Sequence, residues 1–122
     1  MPTRFRMTAL TLAASLMAST GQAYVSGGHE YGLTCNPDGY VLTSRYPVAR
    51  TKGFGAATQV VSGIEKLYLG KSCDAFHPIF GGGRWCWANG GFVAEFAEFR
   101  FGFARQELHC EAEPGLGLEC LC

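Results

Sequence analysis

Six cysteines, Cys35, Cys73, Cys86, Cys110, Cys120 and Cys122, constrain this 122-residue chain more than any other feature. An even cysteine count in a short exported chain reads as a disulfide framework. The physical reason is size. In a domain of about 100 residues, burial gains little more than ordering the chain costs, and each native bridge contributes about 2–4 kcal/mol. The fold must therefore bring distant segments within the short reach of a disulfide. Cys120 and Cys122 are two apart, so in an extended segment they point to opposite faces and find separate partners. The expected clips are Cys73–Cys86, around the segment Phe76–Gly83, and a clasp from Cys35 to the C-terminal cluster. A zinc site built from His109, Cys110, Cys120 and Cys122 is the competing reading. The C-x-C spacing and an oxidising compartment favour disulfides, and no metal or other cofactor is expected.

Export is read from the first segment. Arg4 and Arg6 precede an uncharged apolar run, Thr8–Ala18, and small residues at Gly21 and Ala23 offer a cleavage site before Tyr24. This is the pattern of a cleaved signal peptide over residues 1–23, and the run is too short to span a bilayer. Residues 24–122 then form one small domain, exported to a periplasm or the extracellular space. Cleavage leaves eight cations against ten acids, a net charge of −2. The cations are scattered, so neither nucleic acid nor an anionic membrane is an expected partner.

Alternation and turn residues predict an all-β fold. Asn36-Pro37-Asp38-Gly39 is a turn between strands Glu30–Cys35 and Tyr40–Tyr46, with Tyr40, Leu42 and Ser44 on one face. Pro47–Ala57 reads as a loop. Thr58–Val61 and Ile64–Leu69 read as a second hairpin turning at Ser62-Gly63. Ser72–Gly83 is the least regular stretch, with a flexible triple glycine. Asn89-Gly90-Gly91 is the strongest hairpin signal, joining Arg84–Ala88 to Phe92–Phe96. Phe99, Phe101 and Phe103 alternate in a further strand. Arg105–Cys110 continues it or forms a last strand, and a turn-rich tail from about residue 111 is tied back by Cys120 or Cys122. The sum is a small disulfide-stapled antiparallel barrel or sandwich of six to eight short strands.

Chemistry is sparse. Cys73 and His77 have the spacing of a thiol and a base, but catalysis needs Cys73 unpaired. Gly81-Gly82-Gly83 lacks the rest of a phosphate loop. Glu95 and Glu98 read as a solvated strand end. The informative group is Tyr68, Arg84, Trp85, Trp87 and Asn89, which combines flat apolar rings with hydrogen-bonding groups suited to a protein or glycan partner. Its competitor is that the two tryptophans fill the core. The expected function is a non-enzymatic binding or inhibitor module using residues 76–91, with a structural, envelope-stabilising protein as the alternative.

One family plan fits a signal segment, a small antiparallel barrel and Cys35 opening a strand. The chain resembles bacterial inhibitors of c-type lysozyme, and the resemblance implies a clasp from Cys35 to a later cysteine such as Cys110. Gly81-Gly82-Gly83-Arg84-Trp85 echoes that family's Ser-Gly-rich loop ending in Tyr, without the serine or the tyrosine, and six cysteines exceed its pattern. No functional residue is carried over.

Overall fold

A computed structural model describes residues 23–122. The expected signal segment, up to Gln22, lies outside the described residues. Ten strands follow in chain order: β1 Tyr24–Ser26, β2 His29–Asn36, β3 Gly39–Ser44, β4 Val48–Lys52, β5 Gln59–Gly63, β6 Lys66–Gly70, β7 Asp74–His77, β8 Gly81–Ala88, β9 Gly91–Glu95 and β10 Arg100–Phe103. Eight form one antiparallel sheet in the order β1-β2-β3-β6-β7-β8-β9-β10, while β4 and β5 form a separate two-stranded ribbon. The all-β, disulfide-stapled antiparallel fold, expected as a barrel or sandwich of six to eight strands, is present as a nearly closed eight-stranded sheet, with β4 and β5 additional to it.

The sheet curls until β1 approaches β10, and the seam is bridged from the segment after β10. The Gln106 side chain behaves there as a short piece of strand. Its Oε1 accepts from the Val25 backbone N–H at 2.7 Å, and its Nε2 donates to the Val25 carbonyl at 2.9 Å. The Tyr24 hydroxyl donates to the Glu107 carbonyl at 2.7 Å beside it. Residues 105–110, expected to continue β10 or form a last strand, are irregular backbone; a side-chain amide satisfies the Val25 groups a strand would have paired.

Alternation sets the core as read. Tyr40, Leu42 and Ser44 point inward from β3, Leu67 and Leu69 from β6, Phe92 and Ala94 from β9, Phe101 and Phe103 from β10. Phe92 and Phe103 stack with ring centroids 4.4 Å apart. At the Asn89-Gly90 turn both residues have positive φ, 55° and 69°, the backbone a tight two-residue hairpin demands. Trp87 pairs with Phe92 and Ala88 with Gly91 across it.

Two expected elements differ. β5 pairs with β4, not β6: Arg50 lies opposite Val61 and Thr51 opposite Val60. The supposed loop Pro47–Ala57 contains β4 and a 3₁₀ turn at Gly55–Ala57 that reverses the chain. β6 instead lies against β3, where Leu67 meets Leu42 and Leu69 meets Tyr40. Inward burial of these leucines outweighs the local turn signal at Ser62-Gly63. The triple glycine also differs. A three-residue turn, Pro78–Phe80, leads into Gly81 at φ 78°, and the glycines then run as the start of β8 against β7. Gly83 is required by crowding, since an added Cβ would strike the Glu95 carbonyl oxygen and come 2.6 Å from the Phe96 ring.

The disulfides are Cys35–Cys110, Cys73–Cys120 and Cys86–Cys122, with Cα separations of 6.3, 5.4 and 5.1 Å. The expected Cys73–Cys86 clip is not made. The Trp85 N–H donates to the Cys73 carbonyl, so Cys73 lies beside Trp85, while Cys86 belongs to the opposite face of β8. Cys120, buried, and Cys122, exposed, take the two separately, as their alternation requires. The tail is further held by a parallel bridge between Leu121 and Trp87 and by the Trp87 N–H donating to the Cys120 carbonyl at 2.7 Å.

Candidate functional site

The five sequence-predicted binding residues fall in three places. Tyr68 and Arg84 face solvent on the outside of the sheet. There Tyr68 pairs across strands with Phe76, their ring centroids 6.2 Å apart, and Arg84 sits between Asp74 and Glu95. Trp85 is in the core, 2% exposed, its indole N–H donating to the Gly70 carbonyl at 2.7 Å and its ring edge-on to Tyr40. A buried ring contacts no partner, so Trp85 leaves the candidate set. Trp87 and Asn89 come together in a groove between the β8–β9 turn and the C-terminal tail.

This groove has a volume of about 650 Å³ and is lined by Tyr40, Trp87, Asn89, Glu107, His109, Leu118 and Leu121, among others. Its geometry follows from the tail. Trp87 Nε1 donates to the Gly117 carbonyl at 2.8 Å, and the Tyr40 hydroxyl donates to the Leu116 carbonyl at 2.7 Å. Those bonds occupy the polar ends of both side chains and leave apolar ring surface towards the groove. Cys73–Cys120 and Cys86–Cys122 fasten the same tail at its far end. Leu118 and Leu121 stay 68% and 75% exposed beside it. Two large apolar side chains held in solvent by covalent clips, around a cavity with a few convergent polar groups, have the composition of a binding groove. Leu118 and Leu121 were not singled out in the sequence. Their tail reads as turns, and its docking shows only in the folded chain, through the bonds of Cys120 to Cys73 and Cys122 to Cys86 and the hydrogen bonds from Trp87 and Tyr40.

A second cluster is buried at the opposite end of the barrel. The Glu65 carboxylate accepts Arg50 Nε at 2.7 Å on Oε2 and Arg50 Nη2 at 2.8 Å on Oε1. The Tyr31 hydroxyl donates to Oε1, and His77 Nε2 lies 2.8 Å from Oε2. His77 Nδ1 accepts the Ile79 N–H at 3.1 Å, which places the ring proton on Nε2, donating to Glu65. Burial alone would raise the Glu65 pKa, but the hydrogen bonds from Arg50, His77 and Tyr31 hold it well below the usual carboxylate range. Tyr31 is pushed well above its ordinary value, first by burial and then by its bond to that carboxylate. The Arg50 guanidinium also lies 4.5 Å from the Phe99 ring centroid. Because Glu65 precedes β6 and Arg50 lies on β4, this network ties the β4–β5 ribbon to the barrel. The sequence signal was present: Glu65 alternates with Leu67 and Leu69 on the inward face.

The thiol–base reading is removed by geometry. Cys73 is bonded to Cys120, and His77 turns to Glu65. Cys73, Glu119 and Cys120 lie within metal-ligand distance of one another, but two of the three sulfur and oxygen donors are disulfide sulfurs, not thiolates. Glu95 pairs with Arg100 at 3.4 Å in solvent, a strand-surface pair. No helix among the described residues is long and apolar enough to cross a membrane.

Compared with known protein families, with curated proteins and with solved structures, the chain matches none.

Proposed function

We propose that this protein is an exported, non-enzymatic binding or inhibitor module that takes an apolar segment of a protein partner into the groove between the β8–β9 turn and the tail. The single observation that carries this reading is the pair of exposed leucines, Leu118 and Leu121, clipped by disulfides beside Trp87. Of the residues singled out in the sequence, Trp87 and Asn89 belong to this surface; Tyr68 and Arg84 belong to another face. The engagement of all six cysteines in disulfides supports a scaffold role for them rather than a chemical one.

The test is capture from the exported fraction with three baits. The unaltered protein retains a partner, a Leu118→Asp/Leu121→Asp double variant loses it, and a Tyr68→Ala/Arg84→Ala double variant keeps it. Loss only in the second variant would move the contact to the outer face; equal capture by all three would leave both surfaces without a partner and end the proposal. Matching circular dichroism spectra establish that each bait is folded.

A second reading, an inhibitor of a lysozyme, is favoured by one observation: Cys35 is clasped to Cys110 in an antiparallel barrel, although Cys35 stands at the end of β2 and does not open a strand as that family plan implies. Assays against a panel of lysozymes decide it, and absence of inhibition at high protein concentration disposes of it.

A further inference from the structure

Beyond the buried Val48 at its base, the β4–β5 ribbon stands outside the core. All five residues of β5 are exposed, and its pairing is with β4 alone. Among the described residues, five of the ten exposed large apolar side chains, Tyr46, Phe54, Val60, Val61 and Ile64, lie on this arm or at its base. An exposed strand edge offers a row of unpaired N–H and C=O groups, and proteins that avoid pairing there place charges or proline on it. β5 carries neither: from Gly53 to Ile64 the chain has no charged residue and no proline. The other edge differs, because β4 carries Arg50 and Lys52.

We infer that a second copy of this chain adds to the β5 edge, antiparallel and related by a two-fold axis, so that two ribbons join into one four-stranded sheet. The sequence of β5 suits its own partner. With Val61 opposite the same residue of the second copy, Gln59 meets Gly63 and Val60 meets Ser62, every cross-strand pair stays on one face, and no like charges meet. The same alignment sets the tip of each arm, with Phe54, towards the base of the other, with Ile64 and Tyr46, so that apolar surface covers apolar surface at both ends. The β4 edge is less suited to self-pairing, since it carries the exposed charge of Lys52 and its Arg50 is already engaged by Glu65, which favours β5 as the edge used. An isologous contact of this kind closes on itself and stops at two copies.

Sedimentation equilibrium of the oxidised protein over a concentration series into the millimolar range tests this. The unaltered protein is a reversible dimer. Val61→Lys, which sets two lysines face to face, raises the dissociation constant about tenfold or more, and Val61→Glu does the same. Mixing the two variants in equal amounts restores dimer, a result that loss of folding in either variant does not produce. Thr51→Lys, on the β4 side, leaves association unchanged. A monomer throughout the series overturns the inference, as does a dimer indifferent to both Val61 variants, or one weakened by Thr51→Lys instead.

Discussion

Replacing Glu65 with alanine removes the acceptor of Arg50, Tyr31 and His77 at once and leaves a largely buried guanidinium without its counter-charge. Uncompensated buried charge of this kind costs about 3–5 kcal/mol, so Glu65→Ala should lower the urea midpoint by that amount divided by the m-value. The carboxylate also makes stability depend on pH. Its folded pKa is lowered, so its contribution is complete above the unfolded value of about 4.3 and declines as pH falls below it, because the unfolded chain then takes up a proton that the folded carboxylate refuses. Urea midpoints measured from pH 7 downwards should fall on the acid side in the unaltered protein and fall less steeply in Glu65→Gln. The inward direction of Glu65 was legible from its alternation with Leu67 and Leu69. Its partners were not, because Tyr31, Arg50 and His77 come from three strands whose neighbours the sequence does not order.

At the scale of elements, the triple glycine shows what local reading reaches and what it misses. Composition marks Gly81-Gly82-Gly83 as flexible; pairing with β7 makes it strand, and the three glycines are not equally required. Gly82 faces open space, whereas Gly83 abuts the Glu95 carbonyl and the Phe96 ring. Gly82→Ala should be neutral or stabilise by about 0.4–1 kcal/mol through the unfolded state, and Gly83→Ala should destabilise by about 1–3 kcal/mol through overpacking. Thermal unfolding of the two variants side by side checks this, and equal effects would contradict the packing described for Phe96. The β2–β3 and β8–β9 hairpins were read well, since Asn36-Pro37-Asp38-Gly39 and Asn89-Gly90 carry their geometry in the residues themselves; β7, set between two three-residue turns without such signals, fell in the stretch expected to be least regular. The β4–β5 ribbon was misassigned because little of it is buried: Val48 and, in part, Arg50 are the buried positions of β4, and all of β5 is exposed, so β5 has no inward face and no alternation to follow.

At the scale of the molecule, three tyrosines with raised pKa values, Tyr24, Tyr31 and Tyr40, each chiefly through burial, link the seam, the polar cluster and the tail to alkaline stability. They stay protonated in the fold while the unfolded chain ionises near pH 10. Stability is therefore full below that pH and is lost as pH rises beyond it. Absorbance of their tyrosinates should appear together with loss of near-ultraviolet circular dichroism, in one transition. The disulfides have an equally direct check. Peptide mapping without reduction should yield Cys35–Cys110, Cys73–Cys120 and Cys86–Cys122, and a Cys73–Cys86 peptide would refute the tail's docking. That the cysteines bond was legible from their number and setting. Their partners were not, since which face of β8 carries Cys86 matters only once β8 is placed against β7 and the tail.

The seam also imposes an order in time. Tyr24 and Val25 meet Glu107 and Gln106 across more than 80 positions of chain, and Cys35 meets Cys110 across 75. A chain that emerges from its N-terminus has β1 first and its closing partners last, so the barrel stays an open sheet until nearly all of it has been released. β1 meets β2 locally through the Gly27-Gly28 turn, but its other edge waits for the segment after β10 across a loop that is costly to close. Of the three bonds, Cys35–Cys110 spans the longest stretch of chain and joins β2 to the segment after β10, so its two cysteines become neighbours only when that segment is in place.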